Sequence, residues 1–133
     1  TPAHTFVGYF IGSPGMNLLD AEIQGSEARL QGVSVPLGAA YGPTTGRTQI
    51  GIRPDYVTVS DQGMPITVKR IEDVGRHRVL RAEREGRALN AILPDGTEIP
   101  AGQVRLVFDP ARTLVYADDW RVLPEGSAMG RAA

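Results

Sequence analysis

Glycine and proline interrupt this chain so often that no long element fits between them. There are 16 Gly and 10 Pro in 133 residues, scattered and without a period. Turn signals recur about every 8 to 12 residues, the spacing of a β-barrel or sandwich built from short strands. Strands do not alternate with helical segments, which excludes a doubly wound nucleotide-binding sheet.

The chain opens on the one segment with a helical pattern. Phe6, Val7, Phe10 and Ile11 fall on one helical face, and Pro2 suits a first helical turn. Gly12-Ser13-Pro14-Gly15 then stops the helix. Beyond it, Asn17 to Gln24 and Glu27 to Leu30 read as a hairpin about Gln24-Gly25-Ser26, and Val33 to Leu37 as a third strand. Residues 38–47, rich in small residues, read as a loop. Thr48 to Arg53 is a strand broken at Pro54 and resumed from Tyr56 to Val59.

The second half alternates more cleanly. Ile66, Val68, Ile71 and Val74 predict a long bent strand with a bulge where the phase changes at Arg70-Ile71, ended by Gly75. Val79 to Glu85 and Ala88 to Leu93 form a hairpin about Glu85-Gly86-Arg87. Pro94-Asp95-Gly96-Thr97 is a further turn. Val104, Leu106 and Phe108 mark a half-buried strand. Leu114 to Ala117 pairs with Trp120 to Leu123 around Asp118-Asp119. Residues 125–133 are small and polar enough to form a flexible tail.

Charge and chemistry narrow the function. Fourteen basic side chains against 15 acidic ones leave a net charge of −1, unlike the cationic excess of a dedicated nucleic-acid binder or a polybasic membrane-surface protein. There is no cysteine, so no disulfide and no thiolate metal site. No apolar run approaches the ~18 residues of a membrane helix, and no signal peptide is visible, which predicts a soluble cytoplasmic piece entered mid-protein at Thr1.

Gly42-Pro43-Thr44-Thr45-Gly46-Arg47-Thr48 is the nearest approach to a phosphate loop. It is one residue short between glycines, has Arg for Lys, and loses a donor at Pro43. His4 and His77 lie too far apart to share a metal by spacing, and no serine sits in a nucleophile elbow. Asp118-Asp119 and Glu72-Asp73 are neighbours that a strand points to opposite faces. No catalytic residue, metal site or cofactor site is expected.

Arg70, Arg76, Arg78, Arg81, Arg84 and Arg87 form the one local basic concentration. Residues 64–107 contain no aromatic side chain on which a base could stack, and Glu72, Asp73, Glu83 and Glu85 dilute the charge. A solvated mixed-charge face is the expectation, with no nucleic-acid partner.

Three segments carry a family resemblance. Phe6-Val7-Gly8-Tyr9-Phe10-Ile11-Gly12-Ser13-Pro14-Gly15-Met16-Asn17 resembles the FVA-x-FIG-x-P-x-MN stretch of importer ATPases of the maltose and glycerol-3-phosphate type. Gly51-Ile52-Arg53-Pro54-Asp55-Tyr56 is similar to their GIRPEH motif, with a departure at Tyr56. Val68 to Gly75, with Val104 to Pro110 downstream, is similar to the closing transport-associated OB (TOBE) segment.

The resemblance implies a mainly all-β, OB-like barrel or sandwich with a short N-terminal helix. Residues 1–15 would end a linker helix from a nucleotide-binding domain, and 16–124 would be the regulatory domain, as one OB-like unit or two interleaved ones. It implies a regulatory and dimerisation module for import of sugars, polyols or glycerol phosphate, with ATP and magnesium held in the cassette domain upstream. The implied partners are a second copy or a paralogous ATPase subunit, the cassette of the same chain, membrane permease subunits and, as in maltose-type members, a regulatory protein. The implied place is the cytoplasmic side of the inner membrane.

Gly12, Ser13, Pro14, Met16, Asn17, Arg53 and Pro54 are the candidate hinge and interface residues, or else core and turn determinants. Two other functions stay open: sensing of a small oxyanion or substrate at a dimer interface, and single-stranded nucleic-acid binding.

Overall fold

The computed structural model describes residues 15–125 apart from 45, 101 and 119. The helix expected over residues 5–11, the Gly12–Pro14 part of its stop and most of the expected tail lie outside the described residues. Within them the chain is β throughout, as the turn spacing predicts, and its helical content is two three-residue 3-10 turns.

One sheet contains β1 (Asn17–Asp20), β4 (Thr48–Ile52), β10 (Leu114–Ala117) and β11 (Trp120–Val122), in the order β1-β4-β10-β11. A second is the long hairpin of β2 (Glu22–Leu30) and β3 (Val33–Tyr41). The third holds β5 (Val57–Ser60), β6 (Met64–Asp73), β7 (His77–Arg84), β8 (Arg87–Pro94) and β9 (Val104–Phe108), in the order β5-β9-β6-β7-β8. All pairings are antiparallel, and no sheet closes on itself.

Expectations in the first half need correction. The hairpin about Gln24-Gly25-Ser26 does not form: β2 runs through it, and Gly25, at φ +61°, begins a bulge between Gly25 and Glu27. A glycine with positive φ can kink a strand without reversing it. The reversal comes at Gln31-Gly32, where Leu30 faces Val33.

Nor are residues 38–41 loop: they complete β3. Their small side chains reflect a close approach. A Cβ on Gly38 would lie 2.9 Å from both the Pro110 carbonyl oxygen and the Ala111 Cα.

The single strand expected from Asn17 to Gln24 divides at Ala21 between β1 and β2, which lie in different sheets, and Tyr56, expected in a strand, closes a 3-10 turn. In the second half the bulge and the central hairpin are as the sequence predicts. The register of β6 on β7 shifts between Val68 and Arg70, the bulge that the phase change marks. Glu85 (φ +50°) and Gly86 (φ +76°) turn the β7–β8 hairpin with Arg84 opposite Arg87, and two positive φ values suit the right-handed strand twist.

Alternation places the core. Val104, Leu106 and Phe108 of β9 are buried, as are Leu89, Ala91 and Leu93 of β8. With Leu19, Ile50, Ile52 and Val115 of the first sheet and Ala28, Val35 and Leu37 of the hairpin, they form one contiguous cluster. Truncating Leu106, 2 % exposed, to Ala would cost about 2–5 kcal/mol.

The chain crosses between the first and third sheets twice, side by side. From β4 it passes through the 3-10 turn Pro54–Tyr56 into β5, and from β9 through Pro110–Arg112 into β10. Each turn starts on proline, whose fixed φ suits that position. Strands on both sides also pair with each other, β4 with β10 and β5 with β9. The Asp109 N–H donates to the Tyr56 carbonyl across the crossings at 3.0 Å.

Candidate functional site

A cleft of about 320 Å³ opens beside these crossings. Its lining includes Met16, Arg53, Tyr56, Arg112, Leu114 and Arg121. Three arginines therefore share one concavity, and among the described residues no carboxylate lines it. Among the described residues none of the three forms an ion pair.

Local structure fixes each of them. Arg53 is exposed and precedes the first turn, where its carbonyl accepts the Tyr56 N–H at 3.0 Å. Arg112 ends the second turn, which Asp109 caps by accepting the Ala111 N–H at 3.0 Å. The Arg112 guanidinium lies 5.0 Å from the centre of the Tyr56 ring, a cation–π contact that holds its planar fork in place. Tyr56, the departure from the GIRPEH pattern, thus has a structural task.

Arg121 pairs with Tyr116 across β10 and β11. Its Nε is buried and, among the described residues, has no hydrogen-bond partner. Burial pushes the Tyr116 and Tyr41 phenols above the ordinary value, and the nearby Arg121 charge pulls both part of the way back.

The packing of Met16 explains two motif residues. A Cβ on Gly51 would lie 2.9 Å from the Tyr116 ring and 3.0 Å from both Leu18 Cδ2 and Met16 Sδ. Only glycine leaves room for that packing. The Tyr116 hydroxyl in turn points at Met16 Sδ, 3.7 Å away.

The candidate hinge and interface residues separate. Gly12, Ser13 and Pro14 lie outside the described residues. Met16 and Arg53 meet at the cleft. Pro54 is buried at the head of its turn. Asn17, 3 % exposed, clasps two sheets together: its Nδ2 donates to the Asn90 carbonyl and its Oδ1 accepts the Asn90 N–H, both at 2.8 Å. It acts on β8 as a neighbouring strand would.

Sequence reasoning misses Arg112 and Arg121, which lie far from Arg53 along the chain. The one signal available for Arg112 is the Asp109-Pro110 pair, a turn cap just before it.

The arginine run of β6 to β8 behaves as a mixed-charge face. Glu72 takes Arg70 at 2.9 Å and Arg81 at 3.2 Å, and Asp20 takes Arg87 at 3.2 Å. Arg84 donates to the carbonyls of Pro65, at 3.0 Å, and Gln31. The Gly42–Thr48 segment does not suit a phosphate: the Arg47 N–H donates to the Asp118 carboxylate at 2.8 Å, which places an anion at the loop already. Among the described residues no three His, Asp or Glu side chains cluster as metal ligands would.

Comparison with known proteins assigns the architecture. Residues 12–57 match the family model described as the MalK OB fold domain, a segment that supplies Met16, Arg53 and Tyr56 to the cleft. Over that segment, about a third of its length, the chain is similar to the MalK OB fold domain. The order of the motifs in the sequence pointed to the same family.

Relatives extend the likeness along the chain. It is 44% identical over 81 residues to the sn-glycerol-3-phosphate import ATP-binding protein UgpC of Salmonella paratyphi A, covering 56% of this chain and 23% of that protein. To the UgpC protein of Jannaschia sp. it is 33% identical over 120 residues, 89% of this chain and 34% of that protein. An uncharacterized ABC transporter ATP-binding protein, y4oS of Sinorhizobium fredii, is 36% identical over 109 residues, 77% of this chain and 29% of that protein. The chain thus spans about a quarter to a third of the length of the curated relatives it matches.

Proposed function

We infer that this chain is the regulatory and dimerisation domain of the ATP-hydrolysing subunit of an ABC importer for glycerol phosphate or a related sugar or polyol. The observation that carries this reading is the likeness to UgpC over 89% of the chain. In this reading ATP and magnesium sit in a cassette domain of the same subunit and not in residues 16–124. The domain associates with a second copy or a paralogous subunit. The tether keeps the cassette halves at high effective concentration after each hydrolysis, so they close again without a new encounter. Permease subunits place the assembly at the cytoplasmic face of the inner membrane, and a regulatory protein docks on the β domain. The candidate hinge is the Gly12-Ser13-Pro14 stop, buttressed by Met16, Arg53 and Pro54.

Sedimentation equilibrium and an ATPase assay on the 133-residue chain test this reading. Concentration-dependent self-association with no nucleotide hydrolysis is the expected result. Hydrolysis by this chain, or a monomer at every concentration, would overturn it.

A further inference from the structure

We propose that the arginine cleft at the two sheet crossings is a binding site for a phosphate group, carried either by free phosphate or by a small phosphomonoester. The inference stands on the geometry of the cleft and goes beyond the scaffold role.

Three observations converge on an anion. First, among the described residues Arg53, Arg112 and Arg121 line one cleft with no acidic side chain in its wall and no ion pair to spend their charge on. In the run over β6 to β8, by contrast, Arg70, Arg81 and Arg87 are paired with Glu72 or Asp20, and Arg78 and Arg84 donate to backbone carbonyls. Guanidinium forks match phosphate oxygens in pairs, so such a grouping selects an oxyanion over a neutral polyol.

Second, the Arg112 fork and the backbone that carries Arg53 are held in place. Arg112 stacks on Tyr56, and Arg53 and Arg112 each adjoin a proline-initiated turn bonded to the other crossing. Less side-chain freedom is then lost on binding. Third, among the described residues the Arg121 Nε is a buried donor with no acceptor, a state shared with the Nε of Arg78, whose guanidinium however donates to the Thr97 carbonyl. A phosphate oxygen in the cleft would give the Arg121 side chain an acceptor.

The volume suits the ligand. About 320 Å³ leaves room for a phosphate group with a short polyol attached. Met16 and Leu114 supply an apolar flank against which the carbon portion could rest.

Isothermal titration calorimetry on the 133-residue chain tests the site, with ionic strength held constant by chloride. The ligands are inorganic phosphate, glycerol phosphate and, as the neutral control, glycerol. The expected result is saturable binding of a phosphate-bearing ligand and none of glycerol. Arg121→Gln and Arg53→Gln each weaken it about tenfold or more, while Arg70→Gln leaves it unchanged.

Tighter binding of glycerol phosphate than of phosphate would identify a phosphomonoester site, and the reverse order a free-phosphate site; both support the proposal. No saturable heat from either anion in the folded protein, or equal weakening in all three variants, would overturn it. Circular dichroism of each variant establishes that the fold is intact. Failure here leaves the dimerisation role standing, because self-association and ATPase assays read that role separately.

Discussion

Two groups of arginines in this chain carry the same charge in opposite circumstances. Those of β6 to β8 are dense in sequence and committed in space: Arg70 and Arg81 to Glu72, Arg87 to Asp20, Arg84 to two carbonyls. Arg53, Arg112 and Arg121 are scattered in sequence and gathered by the two sheet crossings into a cleft without a carboxylate among the described residues. Local charge density therefore points to the wrong face. What decides the field at a surface is which charges lack partners, and that depends on topology.

The comparison breaks most visibly where the committed group joins the core. Asn90 holds Asn17 through its backbone and accepts Arg81 Nη1 on its side chain at 3.2 Å, so the network runs from the β1 clasp to Glu72. Asn17→Ala strands the Asn90 N–H and carbonyl, and urea unfolding is expected to show a loss of about 2–3 kcal/mol. Arg84→Ala should come next, at about 1–2 kcal/mol, since two carbonyls lose a charged donor partly open to water. By contrast Arg53→Ala should stay within about 0.5 kcal/mol of the parent, because among the described residues its exposed side chain makes no hydrogen bond or ion pair.

Alkaline pH separates the regions in another way. The Tyr116 and Tyr41 phenols are raised above their ordinary value of 10.0, so the folded state holds those protons longer than the unfolded chain does. Stability from this source is intact below that value and falls as pH rises through the raised folded values. Tyr116→Phe should flatten that fall, read as urea midpoints across the alkaline range. A similarly small effect is expected at the part-exposed Glu72 ion pairs: Glu72→Gln should cost about 0.5 kcal/mol at low salt, and less as salt is added.

Much of the fold was legible because alternation and turn chemistry are local. Leu89, Ala91 and Leu93 announce their buried face, Glu85-Gly86 its hairpin, and the Arg70-Ile71 phase change its bulge. The misreadings share a cause. Gly25 and Gly38 look like turn or loop residues, yet one absorbs a bulge and the other lets β3 approach the Pro110–Arg112 turn, needs set by distant backbone.

The site was legible only in part. Met16 and Arg53 lie in motifs, but Arg112 and Arg121 join them through the pairing of β4 with β10 and β10 with β11, which no local pattern encodes. Asn17 stood among the candidate hinge and interface residues, and its clasp on Asn90 spans 73 positions.

The contrast between the two arginine groups can be read one side chain at a time. Nuclear magnetic resonance resolves arginine Nε–Hε groups, and titrating phosphate at constant ionic strength reports which of them gain an acceptor. The account predicts that the Arg121, Arg53 and Arg112 signals move and saturate together while those of Arg70, Arg81, Arg84 and Arg87 stay in place. Equal movement in both groups, or movement confined to the β6–β8 arginines, would contradict it.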